Sequence, residues 1–212
     1  EEREGCEVDV VYAGCGTLVS KMRTGEQGLP DLFVTCDTTY LTKAQSAMGN
    51  PFGPDLKVSS TRIVMLVAKG NPKGLHTLSD LDQEGLRIGT TDPDASTLGA
   101  LSHELIRETG KFDSIQENIE MMADTAHTLI QTMVAGEKLD VVLVYEANIQ
   151  HLKTKFDAVP LKPIRAIAVQ NIAARKDTAY PQLAQRLMWH VTSDTSRRRF
   201  EQLGFNWEAG DE

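Results

Sequence analysis

Apolar residues along this chain keep two rhythms, and the rhythms take turns. Short β-branched and aliphatic runs recur at Val8–Tyr12, Asp31–Cys36, Arg62–Ala68, Leu86–Thr90, Ile119–Met122, Val141–Tyr145 and Phe156–Leu161. Turn-forming residues bound most of them, the signature of strands. Between the runs, apolar positions return at helical spacing: Leu98, Leu101, Leu105 and Ile106 before Gly110, then Leu129, Ile130, Met133 and Val134 before Gly136. The same reading predicts helices over Thr17–Met22, after the cap residue Asp37, at Leu78–Leu81 and over Glu146–Leu152. A helical tail is predicted over Tyr180–Leu203, with Leu183, Leu187, Met188 and Val191 facing inward. Strand alternating with helix predicts an α/β fold with a parallel sheet and right-handed crossovers. The Pro/Gly-rich stretch Gly49–Pro54 reads as a loop, Lys69–Gly74 as a first crossing between two lobes, and Pro163–Ala174 as the return. Glu1–Gly5 reads as the end of a helix and its glycine stop, with something expected in front of it.

Bulk properties narrow the function classes. At 212 residues the chain can build one large domain or two lobes with their own cores. With 22 basic and 30 acidic residues, a formal charge of −8 argues against a nucleic-acid surface. It leaves open a small oxyanion, which backbone N–H groups and hydroxyls can hold without lysine or arginine. No apolar run reaches membrane-spanning length and no signal peptide is seen. Cys6, Cys15 and Cys36 are odd in number and lack metal-ligand spacing, so they read as small buried residues near strand ends.

One design recurs where chemistry could occur: a strand end whose turn opens a helix, at Ala13–Thr17, Asp92–Gly99 and Ala123–Ala126. The first N–H groups of such helices lack partners, and the helix dipole adds positive potential, so each is a potential anion seat. Tyr145, ending another strand, can donate from its phenol. No catalytic set accompanies these seats. His76, His103, His127, His151 and His190 are scattered and read as solvated or satisfied, and no histidine stands at motif distance from Cys15. Arg197–Arg199 reads as an exposed helix face. The expectation is a binding protein, not an enzyme, with no metal and no cofactor.

The segments VDVVYAGCGTLVSKM, DLFVTCDTTYL, IVMLVAKGNP, LRIGTTDPDASTLG, ADTAHTLIQTMVAGEKLDVVLVYEANI and RRRFEQLGF, in this order, resemble the periplasmic molybdate/tungstate-binding proteins of ABC importers. The resemblance implies a two-lobed type II periplasmic-binding fold: residues 1–68 with 163–212 as one lobe, 69–162 as the other. It implies a tetrahedral dianion, molybdate or tungstate rather than sulfate, delivered to a membrane permease from the periplasm. The ligand-holding residues it implies are Gly14, Cys15 and Gly16, the Leu98 N–H, the N–H of Thr125 or Ala126, and the Tyr145 phenol. Two departures stand out: Gly-Cys-Gly replaces a serine cluster, and the family's opening strand would lie before Glu1. The same fold also serves as the effector-binding half of transcriptional regulators, the alternative reading.

Overall fold

The computed structural model describes residues 4–26, 28–136, 138–161 and 166–210. The chain begins with α1 (Cys15–Thr24), β1 (Leu32–Thr35), α2 (Thr38–Met48) and β2 (Phe52–Ala68). After a 3₁₀ turn at Leu78–Asp82 come β3 (Ile88–Thr91), α3 (Thr97–Glu108), α4 (Phe112–Glu117), β4 (Ile119–Ala123), α5 (Ala126–Val134) and β5 (Val141–Tyr145). A second 3₁₀ segment, Glu146–Leu152, leads to β6 (Phe156–Pro160) and β7 (Ile167–Arg175). Then follow α6 (Pro181–Val191), α7 (Asp194–Gln202) and β8 (Asn206–Trp207).

The α/β expectation holds, but the sheet is mixed rather than parallel. Among the described residues only β3 pairs in parallel, with β4 and β5, while β2 runs antiparallel to β5, β6, β7 and β8. The cause is β2 itself, an unbroken strand of 17 residues that its neighbours all oppose. Its partners change between Arg62, opposite Ile167, and Ile63, opposite Tyr145. There it leaves a first sheet (β1, β7, β8) and enters a second (β5, β6, β3, β4). The expected start at Arg62 was late because Gln45 clamps the Pro/Gly-rich stretch into extended form. Its amide donates to Phe52 O at 2.9 Å and accepts from Phe52 N at 3.1 Å. The break at Lys69–Gly74 is the turn that ends β2, closed by Asn71 N–H to Ala68 O and by Asp157 accepting from Gly70 N.

Burial follows the pleat. Ile63, Met65 and Val67 of β2, with Val141 and Leu143 of β5, face a core that includes Leu98, Ile106 and Ile115. Val64, Leu66, Val142 and Val144 face the opposite side, against Leu129, Ile130 and Met133 of α5. Strands buried on both faces carry continuous rather than alternating apolar runs, which is how these two read in the sequence. The first sheet has a smaller core of Met22, Phe33, Leu41, Ala44, Phe52 and Ala173.

Two further expectations are corrected. Val8–Tyr12 forms no strand, and Val8, Val10, Val11 and Tyr12 are exposed. β-branched residues favour a strand only where a pleated, half-buried surface receives them, and this run is exposed throughout. The helical tail divides at Thr192–Ser193, where Ser193 caps α7 by accepting from Ser196 N. Within α6 only Ala184 is buried, and Leu187 is exposed rather than inward. Arg197–Arg199 is exposed, with Arg197 paired to Glu201 one helical turn on. Pro163–Arg165, the start of the expected return, lies outside the described residues.

Candidate functional site

The candidate site forms where α1 and α3 begin. Gly14 precedes α1 and Ser96 precedes α3, and neither helix start is capped by a side chain. By contrast Asp37 caps α2 and Thr125 caps α5. Uncapped starts leave first-turn N–H groups available to a ligand.

The two starts are brought together by glycine. A Cβ on Gly14 would lie 2.3 Å from Ala95 O, and one on Gly16 would lie 2.1 Å from Asp94 O. Any side chain there would push α1 off the Asp94–Ser96 backbone, so glycine is required for contact rather than for an unusual φ. That backbone is itself shaped by Asp92, whose carboxylate accepts from Asp94 N at 2.8 Å and whose carbonyl accepts from Ser96 N at 2.9 Å. Asp92 N in turn donates to Ala123 O, placing the end of β4 beside the turn. Gly99 repeats the device, with a would-be Cβ 2.4 Å from Thr91 O.

Cys15, the first residue of α1, is 2 % exposed, and its Sγ accepts from Cys36 N at 3.3 Å. The Cys36 side chain also reaches Cys15, and this contact is the largest influence lowering the Cys15 thiol, to about 6 against burial. The Thr97 hydroxyl approaches the same sulfur and favours its ionised form, without making a well-formed hydrogen bond. The helix start acts in the same direction. The Cys36 thiol is pushed up, chiefly by its hydrogen bond to Cys15.

Tyr145 ends β5 with its hydroxyl buried and lacking a hydrogen-bond partner among the described residues. Burial first, then the charges of Cys36, Cys15 and Asp37, hold this phenol protonated, so it keeps a proton to donate. Thr90, Thr91 and Thr97 also bury unpartnered hydroxyls near these strand and helix ends. These hydroxyls, with the Tyr145 phenol, are free of protein partners among the described residues and available to hydrogen-bond a ligand. Beside it lies a cavity of about 370 Å³ lined by Gly16, Arg23, Tyr40, Lys43, Pro93 and Asp94 among others, placing two cations near the helix starts.

Of the residues expected from sequence, Gly14, Cys15, Gly16, the Leu98 turn of α3 and Tyr145 gather here. Ala126 is half-buried and packs on the same apolar cluster as Leu98 and Tyr145. Thr125 is exposed, and its hydroxyl is used by Thr128 N within α5. Cys36 and Thr97 were missed, although Cys36 directly follows the end of β1. His103 is neither solvated nor satisfied: it is 4 % exposed, its Nε2 lacks a partner among the described residues, and burial lowers its pKa. Among the described residues no cluster of three or more His, Cys, Asp or Glu side chains could hold a metal.

Two sheets sharing one strand, with helix starts meeting at their junction, are the architecture of the periplasmic solute-binding proteins. The Azotobacter vinelandii periplasmic molybdate-binding protein superposes with a TM-score of 0.74 at 17 % identity, covering 98 % of this chain and 90 % of that one. A periplasmic thiamin-binding protein gives 0.81 at 15 % identity, covering 100 % and 77 %. This chain belongs to the bacterial extracellular solute-binding protein family, which it matches over residues 1–206. It is 25 % identical over 203 residues to the molybdate-binding protein ModA of Mycobacterium bovis, across 95 % of this chain and 74 % of the relative. The family is one of binding proteins, not enzymes. Among the described residues no helix is long and apolar enough to cross a membrane.

Proposed function

We propose that this chain is the extracytoplasmic receptor of an ABC importer and closes over a tetrahedral oxyanion, molybdate or tungstate. One observation carries the reading: two helix starts without side-chain caps meet at a corner where the Tyr145 phenol is buried without a partner. The groups offered there include the first-turn N–H groups of α1 and α3, the Tyr145 phenol and the Thr90, Thr91 and Thr97 hydroxyls, with Arg23 and Lys43 on the adjoining cavity. Of the nearby carboxylates, Asp92 is occupied by its own turn and Asp37 by Thr39 N and Val169 N, while Asp94 lines the adjoining cavity together with Arg23 and Lys43. A corner rich in N–H and O–H donors, with two cations beside it, suits a dianion better than a cation such as thiamin. The likeness to ModA and to the Azotobacter protein supports the same ligand class.

In this proposal one lobe holds the first sheet and its helices, and the other begins at Ile63, where β2 changes partners. The hinge is then the Arg62–Ile63 step with the neighbouring strand entry at Ala166, whose carbonyl accepts from Ile63 N at 2.8 Å. That differs from a boundary at Lys69, and it places Tyr145, opposite Ile63, at the hinge itself. Donors from both lobes reach one anion only when the lobes close, and a permease would read the closed form. Molybdate and tungstate, being larger than sulfate, are chosen by cavity size. Isothermal titration with molybdate, tungstate, sulfate and thiamin tests the proposal. Binding of the first two over sulfate is expected; binding of thiamin alone, or of none, refutes it.

A further inference from the structure

Cys15 and Cys36 have no place in holding an anion by neutral donors, yet they meet at the centre of the corner. Cys15 Sγ lies 3.3 Å from Cys36 N, the two side chains touch, and both thiols are free. One of the pair is buried beneath α1 while the other is exposed. Chains of an extracellular family meet conditions in which disulfides form and persist. We propose that Cys15 and Cys36 are a redox-active pair that closes reversibly to a disulfide, and that closing it clears the anion seat.

The oxidant is a small disulfide or a disulfide oxidoreductase, written RSSR. Cys36, the exposed thiol, attacks one sulfur of RSSR as its proton passes to the Cys15 thiolate it faces. RS⁻ leaves and takes a proton from water, giving a mixed disulfide on Cys36. Cys15 releases its proton to water and attacks Sγ of Cys36, forming the intramolecular bond and expelling the second RS⁻. In sum the Cys36 thiol and the Cys15 thiolate lose two electrons and one proton, and RSSR becomes one RSH and one RS⁻, which takes a further proton from water.

The reduced pair places a charge where the guest would sit. At the start of α1, beside Thr97 and accepting from Cys36 N, the ionised Cys15 sulfur is itself the anion of that seat. A dianion entering must meet or displace it, and a disulfide carries no charge. This second half rests on the oxyanion reading; disulfide formation does not.

The test uses the full chain with Cys6→Ser, equilibrated with reduced or oxidised glutathione. Alkylation of the unfolded protein followed by peptide mapping counts the thiols, and molybdate titration follows on each form. The reduced chain should alkylate at both Cys15 and Cys36, and the oxidised chain at neither, with one peptide pair linked by a reducible bond. Molybdate should bind the oxidised form about tenfold more tightly or better at about pH 8, with the gap closing at about pH 5 as Cys15 protonates. Stable mixed disulfides on Cys36 without the internal link overturn the pair. A link that forms with no change in molybdate affinity overturns the clearing of the seat. A link that forms in a chain that binds no oxyanion in either state leaves the pair standing and removes the oxyanion reading and the seat-clearing with it.

Discussion

Tyr145→Phe separates a ligand-holding phenol from a structural one, because the two roles predict opposite signs. In the unliganded protein the hydroxyl is buried and unpartnered, and such a group costs about 1–3 kcal/mol of desolvation. Phenylalanine keeps the ring against the apolar cluster that includes Leu98 and removes the cost. Stability should therefore rise by about 1–3 kcal/mol. For a chain of this size each kcal/mol moves Tm by about 2–4 °C, so the midpoint should climb by about 2–12 °C. With molybdate bound, the lost interaction is a hydrogen bond from a neutral donor to a charged acceptor, worth about 1.5–3 kcal/mol. Affinity should then fall about 10- to 150-fold. Differential scanning calorimetry without ligand and isothermal titration with molybdate read the two effects on one preparation. A Tm that drops, or an unchanged Kd, would refute the assignment of Tyr145 as an unpaired donor awaiting an anion.

Gly16→Ala should force α1 away from the Asp94 carbonyl, since its Cβ would need to sit 2.1 Å from that oxygen. The expected result is at least a tenfold loss of molybdate affinity and a larger radius of gyration in small-angle scattering, with helix content retained; unchanged binding would show that α1 and α3 need not meet. Asp140 accepts a two-pronged hydrogen bond from Arg87 at 2.9 and 3.0 Å, and that bond, chiefly, holds its carboxyl below the ordinary value of 3.8. A lowered carboxylate pKa contributes stability that is full above 3.8 and is lost as pH falls through the lower folded value. Asp140→Asn should therefore lower Tm clearly at about pH 7 and much less at about pH 2.5, measured by circular dichroism; equal losses at both would place the effect elsewhere.

How much of this was legible in the sequence depends on what each residue answers to. β3 and β5 were legible because burial on both faces gives them continuous apolar runs, β4 because its apolar residues stand out between turns, and α3 and α5 because each buries one apolar stripe that Gly110 and Gly136 bring to an end. Val8–Tyr12 misled because β-branched residues record only an aptitude for strand, and a neighbouring strand decides its use. The length of β2 was hidden because Gly49, Pro51 and Pro54 signal a loop locally, while the constraint that straightens the stretch comes from the Gln45 side chain. The glycines of the site were found by a turn argument, yet their reason is contact: nothing near Gly14 or Gly16 in sequence announces Ala95 or Asp94. Cys36 and Thr97 were missed for the same reason, since each matters only through the sulfur of Cys15. Thr125 went the other way, a good helix start already used by its own side chain.

β2 serves as a keel common to both halves of the molecule. Its residues up to Arg62 are laced to β7 and those from Ile63 to β5 and β6, so neither half can melt without stripping partners from the same backbone. Heating should therefore give one calorimetric transition with matching calorimetric and van't Hoff enthalpies. The opening and shutting of a binding cleft would then be a twist along a continuous ribbon, elastic and self-returning, rather than the swing of two bodies on a slack cord.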